Sequence, residues 1–122
     1  MIFKRIFSSE FLKCFNGTLI LKEDIELKLI DKHKVYVDDL VDALSDPFIL
    51  VMKPRQKSVT PLDKEKSSGN LYEILCETET GKVMFIVGRL FPDGNLYIIT
   101  AYWADSGLTQ LYFQEREVLQ NE

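Results

Sequence analysis

Residues 71–103 read LYEILCETETGKVMFIVGRLFPDGNLYIITAYW, and the reading of this stretch decides the fold. Three runs rich in β-branched and aromatic residues are separated by Thr80-Gly81 and by Pro92-Asp93-Gly94. Such residues suit a pleated, half-buried surface, and Thr-Gly or Asp-Gly between them signals a hairpin. The spacing predicts strands over 71–78, 82–91 and 95–103 in an antiparallel meander. Alternation from Met84 assigns Met84, Ile86, Gly88 and Leu90 to one face, and Val83, Phe85, Val87, Arg89 and Phe91 to the other.

Upstream, FILVM follows Asp46-Pro47 and fits a further buried strand within 48–53. Val37, Leu40, Val41 and Leu44 recur at helical spacing, with Asp38, Asp39 and Asp42 expected to face water. Asp46-Pro47 stops that helix, because a residue before proline is driven out of the α region. KEDIELKLIDKH carries its acids early and its bases late, so a helix is expected there too. From Leu108 onward, Leu108, Leu111, Tyr112, Glu115 and Leu119 mark one helical face. The expected class is α+β: an antiparallel sheet of about four strands, with N-terminal helices and a C-terminal helix. One domain spanning 1–122 is expected, with an N-terminal arm over about 1–22 and a core over about 23–120. Asn16-Gly17 is the turn signal inside the arm.

Composition narrows the function classes. The 122 residues are 46% hydrophobic, enough for a real core, and carry a net charge of −4. Mild acidity argues against a surface coated in non-specific nucleic-acid contacts but allows a local basic groove. That groove has a candidate: 53–66 holds Lys53, Arg55, Lys57, Lys64 and Lys66 against two acids, in a stretch without apolar period that reads as a long mobile loop. No apolar run could span a bilayer and the N-terminus makes a poor signal peptide, so a soluble cytoplasmic protein with no membrane association is expected. Cys14 and Cys76 lie in apolar contexts and read as buried free thiols. Two scattered cysteines and one histidine cannot supply a structural zinc site; no metal or cofactor is expected.

No GxGxxG, Walker loop, GxSxG or HExxH occurs. What remains is a constellation of single residues. His33, between Lys32 and Lys34 at a helix end, is either a solvated end residue or a general acid or base. Arg89, inside an apolar strand, either reaches water near a strand end or lines a cleft. Tyr97, Thr100 and Tyr102 are either ordinary strand formers or donors facing a site.

Three stretches carry a family resemblance. KHKVYVDDLVDALSDPFIL resembles the opening of BrnT-type toxins, where Lys-His precedes a helix and an Asp-Pro stop. NLYEILCETETGKVMFIVGRLFPDGNLYIITAYWAD is similar to their meander, and TQLYFQERE to their closing helix. The likeness covers about residues 24–118. Those toxins sit with RelE, barnase, EndoU and colicin-type nucleases in a broad class of metal-independent ribonucleases. The resemblance implies a RelE/barnase-like fold and a toxin of a toxin–antitoxin or phage-related system. It would be a hydrolase of RNA, acting with or without the ribosome and held in check by an antitoxin or immunity protein. It further implies catalytic roles for His33, Arg89, Thr100 and Tyr102, with Arg55, Lys57 and Lys66 on phosphates. One departure is visible: where these toxins usually carry arginine after the IxxA string, this chain has Tyr102, followed by Trp103-Ala104-Asp105. The alternative is a catalytically inactive α+β binding module, whose partner surface would be built on Tyr112, Phe113 and Glu115.

Overall fold

The computed structural model describes residues 8–53 and 69–120. In chain order these form α1 (Ser8–Cys14), β1 (Leu19–Ile20), α2 (Glu23–Lys28), a π-helical turn (Leu29–His33) and α3 (Val37–Leu44). Then come β2 (Leu50–Met52), β3 (Asn70–Glu77), β4 (Val83–Leu90), β5 (Leu96–Trp103) and α4 (Ser106–Gln120). The basic loop, with Arg55, Lys57 and Lys66, lies outside the described residues apart from its ends.

The protein is α+β, with the expected meander: Ile74 faces Ile86 across β3 and β4, and Phe85 faces Tyr102 across β4 and β5. The sheet corrects the expectation in two respects. It has five strands rather than four, in the order β1-β5-β4-β3-β2, and it is mixed, because β1 runs parallel to β5. β1 is held by a staple centred on Asn16. Its Nδ2 donates to Asp93 O at 3.1 Å and to Asn95 Oδ1 at 2.7 Å, and its Oδ1 accepts the Thr18 N–H at 2.7 Å. The staple needs Gly94, which has φ +92° and lies so close to Cys14 that a Cβ would sit 2.7 Å from its carbonyl oxygen.

Helices cover both faces. On one, Phe11, Leu29, Leu40 and Ala43 pack against Tyr72, Ile74, Ile86 and Leu96. On the other, Tyr112, Leu108 and Leu111 of α4 pack against Leu50, Leu75 and Phe85. The N-terminal arm therefore contributes to the core: Phe11 is 0% exposed, and its ring meets Tyr72 edge-on at 5.6 Å. Expectation and structure also part on α3. Leu40 and Ala43 are fully buried, whereas Val37 and Val41 are 39% and 53% exposed. The aspartates of this helix are not simply solvated. The Asp39 carboxylate accepts the Tyr36 N–H at 3.0 Å, and Asp42 accepts the Glu79 N–H at 3.2 Å. Cys76 is buried as expected; Cys14 is exposed.

Asp46 ties the layers together. Its Oδ1 accepts the Phe48 N–H at 2.8 Å, and its Oδ2 accepts the Glu77 N–H at 2.9 Å and the Tyr112 hydroxyl. Beside it, Arg116 donates to Glu77 Oε1 at 2.6 Å and lies over the Phe48 ring. Burial, and then the charge of Asp46, push the Cys76 thiol well above the ordinary thiol range. Burial, followed by the hydrogen bond to Asp46, pushes the Tyr112 hydroxyl above 10.0. The folded protein thus holds both protons at pH values where the unfolded chain releases them, from about 8.5 for the thiol and about 10 for the phenol. Stability is full below that range and falls as pH rises through it. Urea midpoints should drop between about pH 8 and pH 10, and Cys76→Ala should flatten the early part of the fall. An unchanged slope in the variant would rule out this linkage.

Candidate functional site

α4 lies against β2, β3 and β4. On the same face, Val87 and Arg89 of β4 and Tyr97, Thr100 and Tyr102 of β5 stay partly exposed among the described residues. Alternation in the sequence assigns Val87 and Arg89 to one face of β4, and the pairing sets β5 residues opposite them across a β-bulge: Val87 faces Thr100, Arg89 faces Tyr97, and Phe85 faces Tyr102. Tyr102 stacks on Phe85, with centroids 5.1 Å apart and planes 15° apart.

His33 arrives from the other side of the chain. The helix beginning at Glu23 widens into the π turn, and Lys34 ends it in the left-handed region at φ 54°. The Val35 N–H donates to Leu29 O at 3.1 Å and the Lys34 N–H to Ile30 O at 3.2 Å, closing the end as αL caps do. Trp103 Nε1–H donates to Lys34 O at 3.3 Å, which pins this turn to β5. The result is a half-buried imidazole whose ring centroid lies 5.7 Å from that of Tyr102, with planes tilted 45°. Burial first, then the charges of Glu73 and Asp105, raise the Tyr102 hydroxyl above its ordinary range. It remains a neutral donor at physiological pH.

Arg89 stands apart from that pair. It is four residues along β4 from Phe85, the partner of Tyr102. At ~3.3 Å per residue that offset is about 13 Å. Its Nη1 donates to Gly69 O at 3.1 Å. Its aliphatic stem crosses Gly69 so closely that a Cβ there would lie 2.6 Å from Arg89 Cγ. The structure therefore brings His33 and Tyr102 together, sets Thr100 between them and Arg89 along the strand, and holds Arg89 at the far end. Of the expected partner residues, Tyr112 is buried in its bond to Asp46, Phe113 is 40% exposed and Glu115 is half-buried.

Two features were not singled out in the sequence. One is the Asp46 network, which borders a cavity of about 300 Å³ between α3, β3 and α4. Its only sequence signal was an Asp-Pro pair read as a helix stop. The other is a cleft of about 240 Å³ beside Arg89 and Tyr97, which Lys22 reaches from the start of α2. Nothing in a linear pattern joins residues 22, 89 and 97.

Among the described residues, no group of three or more His, Cys, Asp or Glu side chains is gathered that could hold a metal ion. Nor, among those residues, is any helix long and apolar enough to cross a membrane. No family model and no curated protein matches the chain.

Proposed function

We infer that the protein is a metal-independent endoribonuclease of toxin type, with its reacting centre at His33 and Tyr102. The observation that supports this reading most is the meeting of an imidazole and a neutral phenol from elements 69 residues apart in sequence. Imidazole is the side chain suited to proton transfer near neutral pH. His33 would take the proton from a ribose 2′-OH as its oxygen attacks the adjacent phosphorus. The bond from phosphorus to the 5′-oxygen then breaks, and that oxygen receives a proton from the imidazolium. Tyr102 and Thr100 would donate hydrogen bonds to the charge that develops on the non-bridging oxygens. The products are a 2′,3′-cyclic phosphate and a 5′-hydroxyl end.

On this reading Arg89, set four residues along β4 from the partner of Tyr102, is not assigned to the scissile phosphate. It would hold a neighbouring part of the RNA, and Arg55, Lys57 and Lys66 of the loop would add further phosphate contacts. The setting implied is the cytoplasm, with an antitoxin or immunity protein as the partner that keeps the free site harmless. The separation of Arg89 from His33 favours a second reading, an inactive module that binds a protein partner through Phe113 and Glu115. The two divide on one assay. Purified protein incubated with single-stranded RNA in EDTA, with and without ribosomes, should cleave it in at least one arm. Inertness in both arms would leave the binding module.

A further inference from the structure

Leu12 of α1 and Leu27 of α2 are single exposed apolar side chains, an ordinary condition of a protein surface. On α3 such side chains gather. Tyr36 is 50% exposed, Val37 39% and Val41 53%. Val37, Val41 and Ser45 follow one another at i, i+4 and i+8, on one side of the helix. The Ser45 hydroxyl donates to Val41 O at 2.8 Å, so this position adds its methylene to the stripe.

Charge frames the stripe. Residues 35–52 hold four aspartates and no lysine or arginine. Asp38 is exposed, and Asp42, by accepting the Glu79 N–H, brings the exposed Glu79 alongside. The last turn of α3 has no basic residue to meet the negative end of its dipole. At that end Asp42 and Ser45 border the cavity of about 300 Å³.

We propose that the outward face of α3 docks a basic amphipathic helix of a partner protein. The partner's apolar residues would lie on Tyr36, Val37 and Val41, and a flanking lysine or arginine would meet Asp42 and Glu79 at the mouth of the cavity. Rows of side chains at i and i+4 are the ridges by which helices pack, and complementary charge around them selects the partner. The same charges disfavour other occupants. A second copy of this chain, with net charge −4, would set aspartate against aspartate, and RNA phosphates would meet carboxylates. The surface starts three residues after His33. On the endoribonuclease reading, on which this consequence alone rests, an occupant beside that turn would hinder RNA at the reacting pair, as an antitoxin must.

The probe is a synthetic helical peptide with leucines at i and i+4 and arginines on both flanks. One control peptide scrambles it, and another replaces arginine by glutamate. Binding is read by fluorescence anisotropy and located by amide chemical shifts. The protein should prefer the amphipathic peptide to both controls, with shifts centred on residues 36–45 and Glu79. Val41→Glu separates anchor from charge: the site is exposed, so the fold is kept, and the variant gains an acid. It should nevertheless lose about tenfold in affinity, the loss of one apolar anchor. Glu79→Gln should weaken binding at low salt and reduce its salt dependence. Equal or tighter binding by Val41→Glu would reduce the attraction to bulk charge, and shifts centred on Phe113 and Glu115 would put the partner on α4. Either result overturns the proposal, as does a peptide bound no better than its scramble. A protein that binds the peptide on α3 yet leaves RNA intact removes the nuclease alone. One that cleaves RNA yet ignores the peptide removes the docking surface alone.

Discussion

His33→Ala should lower RNA cleavage by ~10² or more, because the imidazole is the one group in the described site suited to take the 2′-proton. Tyr102→Phe keeps the stack on Phe85 and removes only the hydroxyl, so its loss should be smaller, about 10-fold, and confined to the turnover step. This ordering separates chemistry from folding. A variant that merely unfolded would lose RNA binding as well, whereas His33→Ala should bind RNA as tightly as the parent. Single-turnover rates together with equilibrium RNA binding measure both. Equal rates for parent and His33→Ala would remove His33 from the reaction.

The second large effect is on stability. Phe11→Ala should cost about 3–5 kcal/mol, the range for deleting a fully buried aromatic ring. Total stability for a domain of this size is about 5–15 kcal/mol, so the variant should unfold at far lower urea. The reason is geometric: the ring sits between Phe15, at 5.2 Å, and Tyr72, on the helical side of the sheet. A change below about 1 kcal/mol would mean that α1 is dispensable to the core.

That dependence on the N-terminal segment was only half legible in the sequence. The meander from Asn70 to Trp103 could be read directly, because period-two alternation and glycine turns are local signals. β1 could not: two residues pairing in parallel with Leu96 and Tyr97 leave no periodicity, and their partner lies far along the chain. The π turn was equally hidden, since an apolar pattern with one added residue still reads as a helix. On α3 the apolar stripe was read one position off. Val37 and Val41 matched the spacing, but Asp39 and Asp42 accept hydrogen bonds from the Tyr36 and Glu79 N–H groups, which keeps the aspartate side partly buried. Of the candidate site, the residue types and the common face of Phe85, Val87 and Arg89 on β4 followed from the sequence; that Thr100 and Tyr102 lie opposite that face of β4 comes from the strand pairing. The meeting of His33 with Tyr102 depends on the αL cap at Lys34 and the Trp103 bond to its carbonyl, neither of which has a linear signature.

The proposed reaction proceeds at a ribose 2′-OH without a metal. The most direct measurement uses DNA oligonucleotides that contain a single ribonucleotide, incubated with the protein in EDTA and analysed by mass. Cleavage is expected only on the 3′ side of the ribonucleotide, leaving a 2′,3′-cyclic phosphate, and none when that sugar is 2′-deoxy. Cleavage of the all-deoxy strand, or cleavage that appears only when a divalent metal is restored, would contradict it.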